Sequence, residues 1–118
     1  MKKIGIIGSR TRDTGFAFDL VKKKFLEIYE DGDQIVSGGC PKGGDRFAEV
    51  IAKNYGIPIL IYYPNWNKYH KGAGFVRNTD IANESDHLVA CVAVNREGGT
   101  EDTIKKFEKL NKGEVYVV

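Results

Sequence analysis

Short apolar runs alternate with amphipathic stretches along the whole chain. The runs are apolar at consecutive positions, which is typical of strands that are buried on both faces, as in a parallel sheet. Strands are predicted over residues 3–7, Gln34–Ser37, 57–62, 88–94 and 115–118.

The stretches between these runs repeat apolar residues every three or four positions, which is the spacing of a helix with one buried face. The first such face consists of Phe18, Val21, Phe25 and Ile28. Further helices are predicted over residues 45–55, 74–83 and 100–110, with a polar, aromatic loop over residues 64–73.

The strict alternation of buried strands with helices predicts the fold class. Parallel strands joined through helices require helices on both faces of the sheet. We therefore expect an α/β protein, a three-layer Rossmann-like sandwich with a five-stranded, mainly parallel sheet. At 118 residues the chain is long enough for one such domain, spanning residues 1–118.

Composition and charge narrow the range of partners. The formal charge of +2 is close to balance, and Lys22, Lys23 and Lys24 belong to the solvated face of a helix, so a nucleic-acid partner is disfavoured. The longest apolar run, residues 57–63, is too short to span a bilayer, and no signal peptide is visible. We expect a cytoplasmic protein with no membrane partner.

Two cysteines, Cys40 and Cys91, lie far apart and lack the spacing of metal ligands. We interpret both as free structural thiols. His70 and His87 have no nucleophile or ligand partner visible in the sequence, and neither a metal nor a cofactor is predicted.

Glycine-rich turns follow the first, second and fourth predicted strands, at residues 8–10, 38–45 and 98–100, and a loop over residues 66–77 follows the third. Glycine lets backbone N–H groups approach an anion, and a helix N-terminus favours negative charge. The carboxyl ends of parallel strands meet at one edge of the sheet. The turns therefore predict a phosphate-binding cleft at that edge.

These turns do not match the common nucleotide-binding fingerprints. A dinucleotide fingerprint needs Gly-x-Gly-x-x-Gly after the first strand and an acidic residue at the end of the second, where this chain has Gly5, Gly8 and Ser37. A Walker A loop needs Lys and Ser or Thr after the second glycine, where this chain has Gly44 and Asp45.

A set of motifs resembles a known family in order and in content. The motifs are Gly8-Ser9-Arg10, Ser37-Gly38-Gly39, Lys42-Gly43-Gly44-Asp45-Arg46-Phe47-Ala48, Pro64-Asn65-Trp66, Ala73-Gly74-Phe75-Val76-Arg77-Asn78, Ser85-Asp86 and Gly99-Thr100. They are similar to those of the small YspA-like members of the SLOG superfamily, which also includes DNA-processing protein A and the LOG phosphoribohydrolases. The resemblance covers nearly the whole chain. It implies a nucleotide or nucleotide-derived ligand and, by similarity to the LOG proteins, leaves a homo-oligomer open.

The LOG enzymes cleave the N-glycosidic bond of nucleoside monophosphates. By resemblance, Gly98, Gly99 and Thr100 correspond to their phosphate turn and Arg77 to their conserved arginine, whereas Thr103 stands at the position of their catalytic glutamate. A threonine cannot replace that carboxylate. Hydrolysis, with Arg77 and a carboxylate such as Asp45, Glu101 or Asp102 as catalytic residues, is therefore the alternative to a ligand-binding or sensing module.

Each charged candidate also has a structural interpretation. Arg10 either contacts phosphate or pairs with Asp13. Arg77 either contacts phosphate or pairs on its helix surface with Asp80 or Glu84.

The polar and aromatic candidates are equally open. Asp45 either binds a ribose or Arg10, or caps the second helix, and Thr100 has the sequence of a helix N-cap. Trp66 either stacks on a base or closes an edge of the core, and Lys42 either contacts phosphate or is merely exposed.

The predicted ligand-binding set is Gly8, Ser9, Arg10, Gly38, Gly39, Lys42, Gly43, Gly44, Asp45, Trp66, Arg77, Asn78, Gly99 and Thr100.

Overall fold

A computed structural model describes residues 1–118. The strands are β1 (Lys3–Gly8), β2 (Gln34–Ser37), β3 (Ile59–Ile61), β4 (His87–Cys91) and β5 (Val115–Val117). The helices are α1 (Gly15–Ile28), α2 (Gly44–Tyr55), α3 (Trp66–Tyr69), α4 (Ala73–Glu84) and α5 (Gly99–Leu110), with a 3₁₀ turn at His70–Gly72 between α3 and α4.

The five strands form one sheet in the order β3-β2-β1-β4-β5, and every neighbouring pair is parallel. The chain builds outward from β1 to β3 and then returns to β4 on the other side of β1. Residue Ile4 of β1 therefore lies between Ile35 of β2 and His87 of β4. None of the helices combines the length and the apolar character needed to cross a membrane.

The alternation of side chains along the strands divides the interior into two cores. On one face, Ile4 and Ile6 of β1 pack with Val21 and Phe25 of α1 and with α2. On the other face, apolar residues of the sheet pack with Ile81 of α4 and with α5. Because strand side chains point alternately to opposite faces, a strand covered on both sides must be apolar throughout. The predicted three-layer Rossmann-like α/β architecture is confirmed, and its sheet is wholly parallel.

Two strand boundaries differ from the predictions by more than one residue because local hydrogen bonds take the chain away from the sheet. The third strand begins at Ile59 instead of residue 57, since the N–H of Ile57 donates to Ala52 O (2.9 Å) and completes the end of α2. The fourth strand ends at Cys91 instead of residue 94. There the N–H of Arg96 donates to Ala93 O (3.0 Å), which turns the chain.

The predicted loop over residues 64–73 contains two short helical turns, α3 and the 3₁₀ turn. The side chain of Asn65 accepts a hydrogen bond from Lys68 N–H (3.1 Å) and so starts α3. None of the residues of α3 or of the 3₁₀ turn is buried.

Gly44, the first residue of α2, allows the helix to lie directly against the end of β1. A Cβ atom at this position would overlap backbone atoms of Ile7 and Gly8. Backbone atoms cannot move aside as a flexible side chain can, so this contact requires glycine.

We therefore expect Gly44→Ala to lower the free energy of unfolding by about 1–3 kcal/mol, the usual cost of overpacking. Urea denaturation measures the change. Gly15→Ala is the matched control, because a Cβ atom on Gly15 meets nothing within 4 Å. Equal stability of the two variants would show that α2 does not depend on this contact.

Candidate functional site

A two-part cleft lies at the carboxyl edge of the sheet. Its inner compartment, of about 370 Å³, lies over the ends of β1 and β4. Its outer compartment, of about 810 Å³, lies between the loop after β2 and the segment that follows β3. Five residues lie where the compartments meet and contribute to both of them: Arg10, Cys40, Arg77, Asn78 and Gly99.

The inner compartment lies at the point where the strand order reverses. The sheet is built outward in opposite directions from β1 and β4, so the loops that follow these two strands diverge and leave a crevice. Gly8, Ser9 and Arg10 form one wall, and Gly98, Gly99 and Thr100 form another.

The N-terminus of α5 contributes backbone N–H groups to this compartment. The N-cap residue is Gly98, which has a φ of 107° and provides no side-chain acceptor. The amides of the first turn therefore lack a side-chain partner and carry the positive end of the helix dipole. The prediction that Thr100 is the N-cap is wrong, because Thr100 lies inside the first turn.

The two acidic residues of that turn are already paired. Glu101 accepts two hydrogen bonds from Arg96, at 2.9 and 3.0 Å. Asp102 accepts from Asn78 Nδ2 (3.1 Å) and Lys106 Nζ (2.9 Å). These cations offset the negative charge that would otherwise oppose an anion at the turn.

Arg77 connects three parts of the cleft instead of pairing along its own helix. Its Nη1 donates to Gly38 O (2.5 Å), and its Nε donates to Asn78 Oδ1 (3.0 Å). Asn78 in turn donates to Gly99 O (3.3 Å). The interpretation of Arg77 as a partner of Asp80 or Glu84 is wrong, since its contacts hold α4 to the loop after β2 and to the start of α5.

Asp45 is a buried carboxylate on the inner compartment. It does not cap α2, since the N-cap residue is Gly43 and no side chain provides a cap. Its Oδ2 accepts from Cys40 N–H (3.0 Å). Burial raises the pKa of Asp45 above its ordinary value, although the Cys40 amide and the Arg77 charge act in the opposite direction.

Arg10 is exposed on the boundary of both compartments, and its side chain makes no hydrogen bond or ion pair within the protein. The expected alternative partner, Asp13, instead accepts from Gly43 N–H (2.9 Å) and Arg46 Nε (2.8 Å). These two bonds lower the pKa of Asp13. They also tie the loop that carries Arg10 to the loop after β2.

Two predicted site residues do not line the cleft. The N–H of Gly43 is used by Asp13, and Gly44 is covered by the end of β1. These two glycines allow close packing of the backbone. The prediction that they cradle phosphate does not fit their positions. The remaining residues of the predicted set each line one compartment or both.

Tyr63, Lys71 and Phe75 line the outer compartment although none of them belongs to the predicted ligand-binding set. Lys71 and Phe75 lie in the loop over residues 66–77 that was expected at this edge, whereas no sequence signal pointed to Tyr63. Trp66 is itself 57% exposed. It lines the outer compartment and does not close an edge of the core.

Cys40 and Thr103 also reach the cleft. Cys40, which the sequence marked as structural, lines both compartments. Thr103 is buried on the inner compartment, where its Oγ1 donates to Gly99 O (3.2 Å). The chain brings no three His, Cys, Asp or Glu side chains together in a way that could hold a metal ion.

No family model, curated protein or solved structure matches the chain. The function must therefore be inferred from the chemistry of the cleft.

The raised pKa of Asp45 means that ionisation of this group opposes folding. This loss of folding free energy is absent at a pH below 3.8, the ordinary pKa of the group, where the carboxyl is protonated in both the folded and the unfolded state. It grows as the pH rises through the interval up to the folded-state pKa and is constant above it. We expect Asp45→Asn to raise the free energy of unfolding at neutral pH and to lose this advantage in acid.

Urea denaturation across the pH range measures this effect, with the exposed Asp31→Asn as the control. A variant of Asp45 that is less stable than the natural protein at neutral pH would mean that the ionised carboxylate stabilises the fold.

Proposed function

We propose that the protein binds a nucleotide or nucleotide-derived phosphate ligand in this cleft, as a ligand-binding or sensing module. The observation that carries the proposal is the meeting of the α5 N-terminus with Arg10 and Arg77 at the crevice where the strand order reverses. Open α/β sheets bind ligands at this crevice.

The phosphate is assigned to the Gly98-Gly99-Thr100 turn. Backbone N–H groups without side-chain acceptors, the helix dipole and a nearby guanidinium all favour a small anion. Of the two arginines of the inner compartment, Arg10 is the one whose side chain is free to move onto the ligand, because Arg77 is bonded to Gly38 O and Asn78.

The sugar is assigned to the side of the inner compartment formed by Asp45 and Asn78. Both N–H donors of Asn78 are used within the protein, at Gly99 O and Asp102 Oδ2. The groups left for adjacent hydroxyls are therefore acceptors, namely the Asp45 carboxylate and the second lone pair of Asn78 Oδ1. The resemblance of the Gly8-Ser9-Arg10 and Gly99-Thr100 motifs to those of the SLOG superfamily supports the same class of ligand.

We expect Arg10→Gln to weaken the binding of nucleoside 5′-monophosphates by about tenfold or more, the value of a charge-assisted contact to phosphate. Calorimetric titration measures the affinity, and thermal unfolding without ligand reports stability, which should not change. Lys53→Gln is the control, since Lys53 is exposed on α2 and lines neither compartment.

The nucleosides without phosphate serve as the second control and should bind much more weakly. If the natural protein binds neither nucleoside monophosphates nor ribose 5-phosphate, the proposed function is wrong.

A second candidate function, hydrolysis of the N-glycosidic bond of a nucleoside monophosphate, is favoured by one observation. Asp45 is a buried carboxylate with a raised pKa on the same compartment as Thr103. In this reaction water adds to ribose C1′, the electron pair of the C1′–N bond leaves with the base, and the base takes up a proton. Asp45 would accept the proton of the attacking water while Arg77 holds the phosphate.

For this activity we expect free base and ribose 5-phosphate to appear in equal amounts from a nucleoside monophosphate, as measured by chromatography. Asp45→Asn should reduce the rate at least about a hundredfold, the usual contribution of general acid–base catalysis. Thr103→Ser, which keeps the hydroxyl, should have little effect. No base release by the natural protein would exclude the hydrolase and leave the binding proposal in place.

A further inference from the structure

The two compartments differ in charge. The outer compartment is lined by Arg10, Lys42, Lys71 and Arg77 and by no acidic residue. The inner compartment has the two arginines but also Asp45 and Glu97. The stronger positive potential therefore lies in the outer compartment, beyond the turn to which the first phosphate is assigned.

The lysines of the outer compartment have no direct partner within the protein. Neither Lys42 nor Lys71 makes a side-chain hydrogen bond or an ion pair, and both are exposed. Lys42 is within electrostatic range of Asp13, but that carboxylate is already bonded to Arg46 and Gly43. A single phosphate at the α5 turn would leave both lysines without an ion-pair partner.

The same compartment has an aromatic wall formed by Tyr63, Trp66 and Phe75, whose side chains are 66%, 57% and 60% exposed. Three large aromatic side chains exposed together in one concave site form an apolar patch, and such patches mark surfaces that bind a ligand or a partner. Their place in a concave site beside cations suits a planar ring, since bases stack on aromatic side chains without needing a specific edge.

We infer that the ligand is a nucleotide with at least two phosphate groups, whose base stacks against this aromatic wall and whose additional phosphate is held by Lys42 and Lys71. The inference rests on the proposed function and extends it. The volume of about 810 Å³ accommodates a base together with a second anionic group. The second phosphate can come from a 5′-diphosphate or from a 3′,5′-bisphosphate.

Trp66 provides a direct probe, because it is the sole tryptophan of the chain. Its fluorescence is titrated with a nucleoside 5′-monophosphate, the 5′-diphosphate, the 3′,5′-bisphosphate, pyrophosphate and a short single-stranded oligonucleotide. The affinities are confirmed by calorimetry for the natural protein, for Lys42→Gln/Lys71→Gln and for Lys53→Gln/Lys105→Gln. The last variant loses the same charge at exposed positions outside the cleft.

We expect at least one of the two bisphosphorylated nucleotides to bind the natural protein about tenfold tighter than the monophosphate, as one further charge-assisted contact would give. The Lys42→Gln/Lys71→Gln variant should reduce this ratio to near one, and Lys53→Gln/Lys105→Gln should leave it unchanged. The nucleotides should quench Trp66, whereas pyrophosphate should bind without quenching it.

Three results would overturn the inference while leaving the proposed function intact. These are equal affinities for the monophosphate and both bisphosphorylated nucleotides, a ratio that survives the loss of Lys42 and Lys71, and tighter binding of the oligonucleotide than of either nucleotide. Failure of the monophosphate itself to bind would instead overturn the proposed function, and the inference with it.

Discussion

The parallel pairing of all five strands is the constraint on which the rest of the structure depends. Because every strand runs in the same direction, each must be followed by a connection that begins at the same edge of the sheet. The loops after β1, β2, β3 and β4 are therefore neighbours, although they are spread over most of the chain. The return of the chain from β3 to β4 then opens a crevice between the β1 and β4 loops, which becomes the inner compartment.

The cleft contains a group that a protein selected only for stability would avoid, because burial holds the pKa of the Asp45 carboxyl above its usual value. The same compartment contains Arg10, an exposed cation whose side chain makes no bond within the protein. The surrounding contacts keep these groups in place. The Asp13 carboxylate accepts a hydrogen bond from Gly43 N–H. Asn78 accepts a hydrogen bond from Arg77 and donates one to Gly99 O at the start of α5. Such opposition between stability and local chemistry is characteristic of binding and catalytic sites.

The sequence predicted the layers, the strands and the meeting of the Gly8–Arg10 and Gly98–Thr100 turns, because hydrophobic periodicity and parallel topology determine these features. It could not separate glycines that face a ligand from glycines that allow close packing, as Gly43 and Gly44 do. The ion-pair alternatives for Arg10 and Arg77 are not formed, because Asp13 and Gly38 O meet their actual partners only through tertiary structure. Residues 92–94 are apolar enough for a strand, yet hydrogen bonds in the following turn end β4 at Cys91.

The bonds of Arg77 to Gly38 O and Asn78 Oδ1 have a further consequence for molecular recognition. They use two of the five N–H donors of the guanidinium and fix its plane, while the other donors remain open at the junction of the two compartments. An arginine anchored in this way would lose little rotational freedom on binding an anion there. Most of the entropic cost of ordering this side chain is therefore incurred when the chain folds.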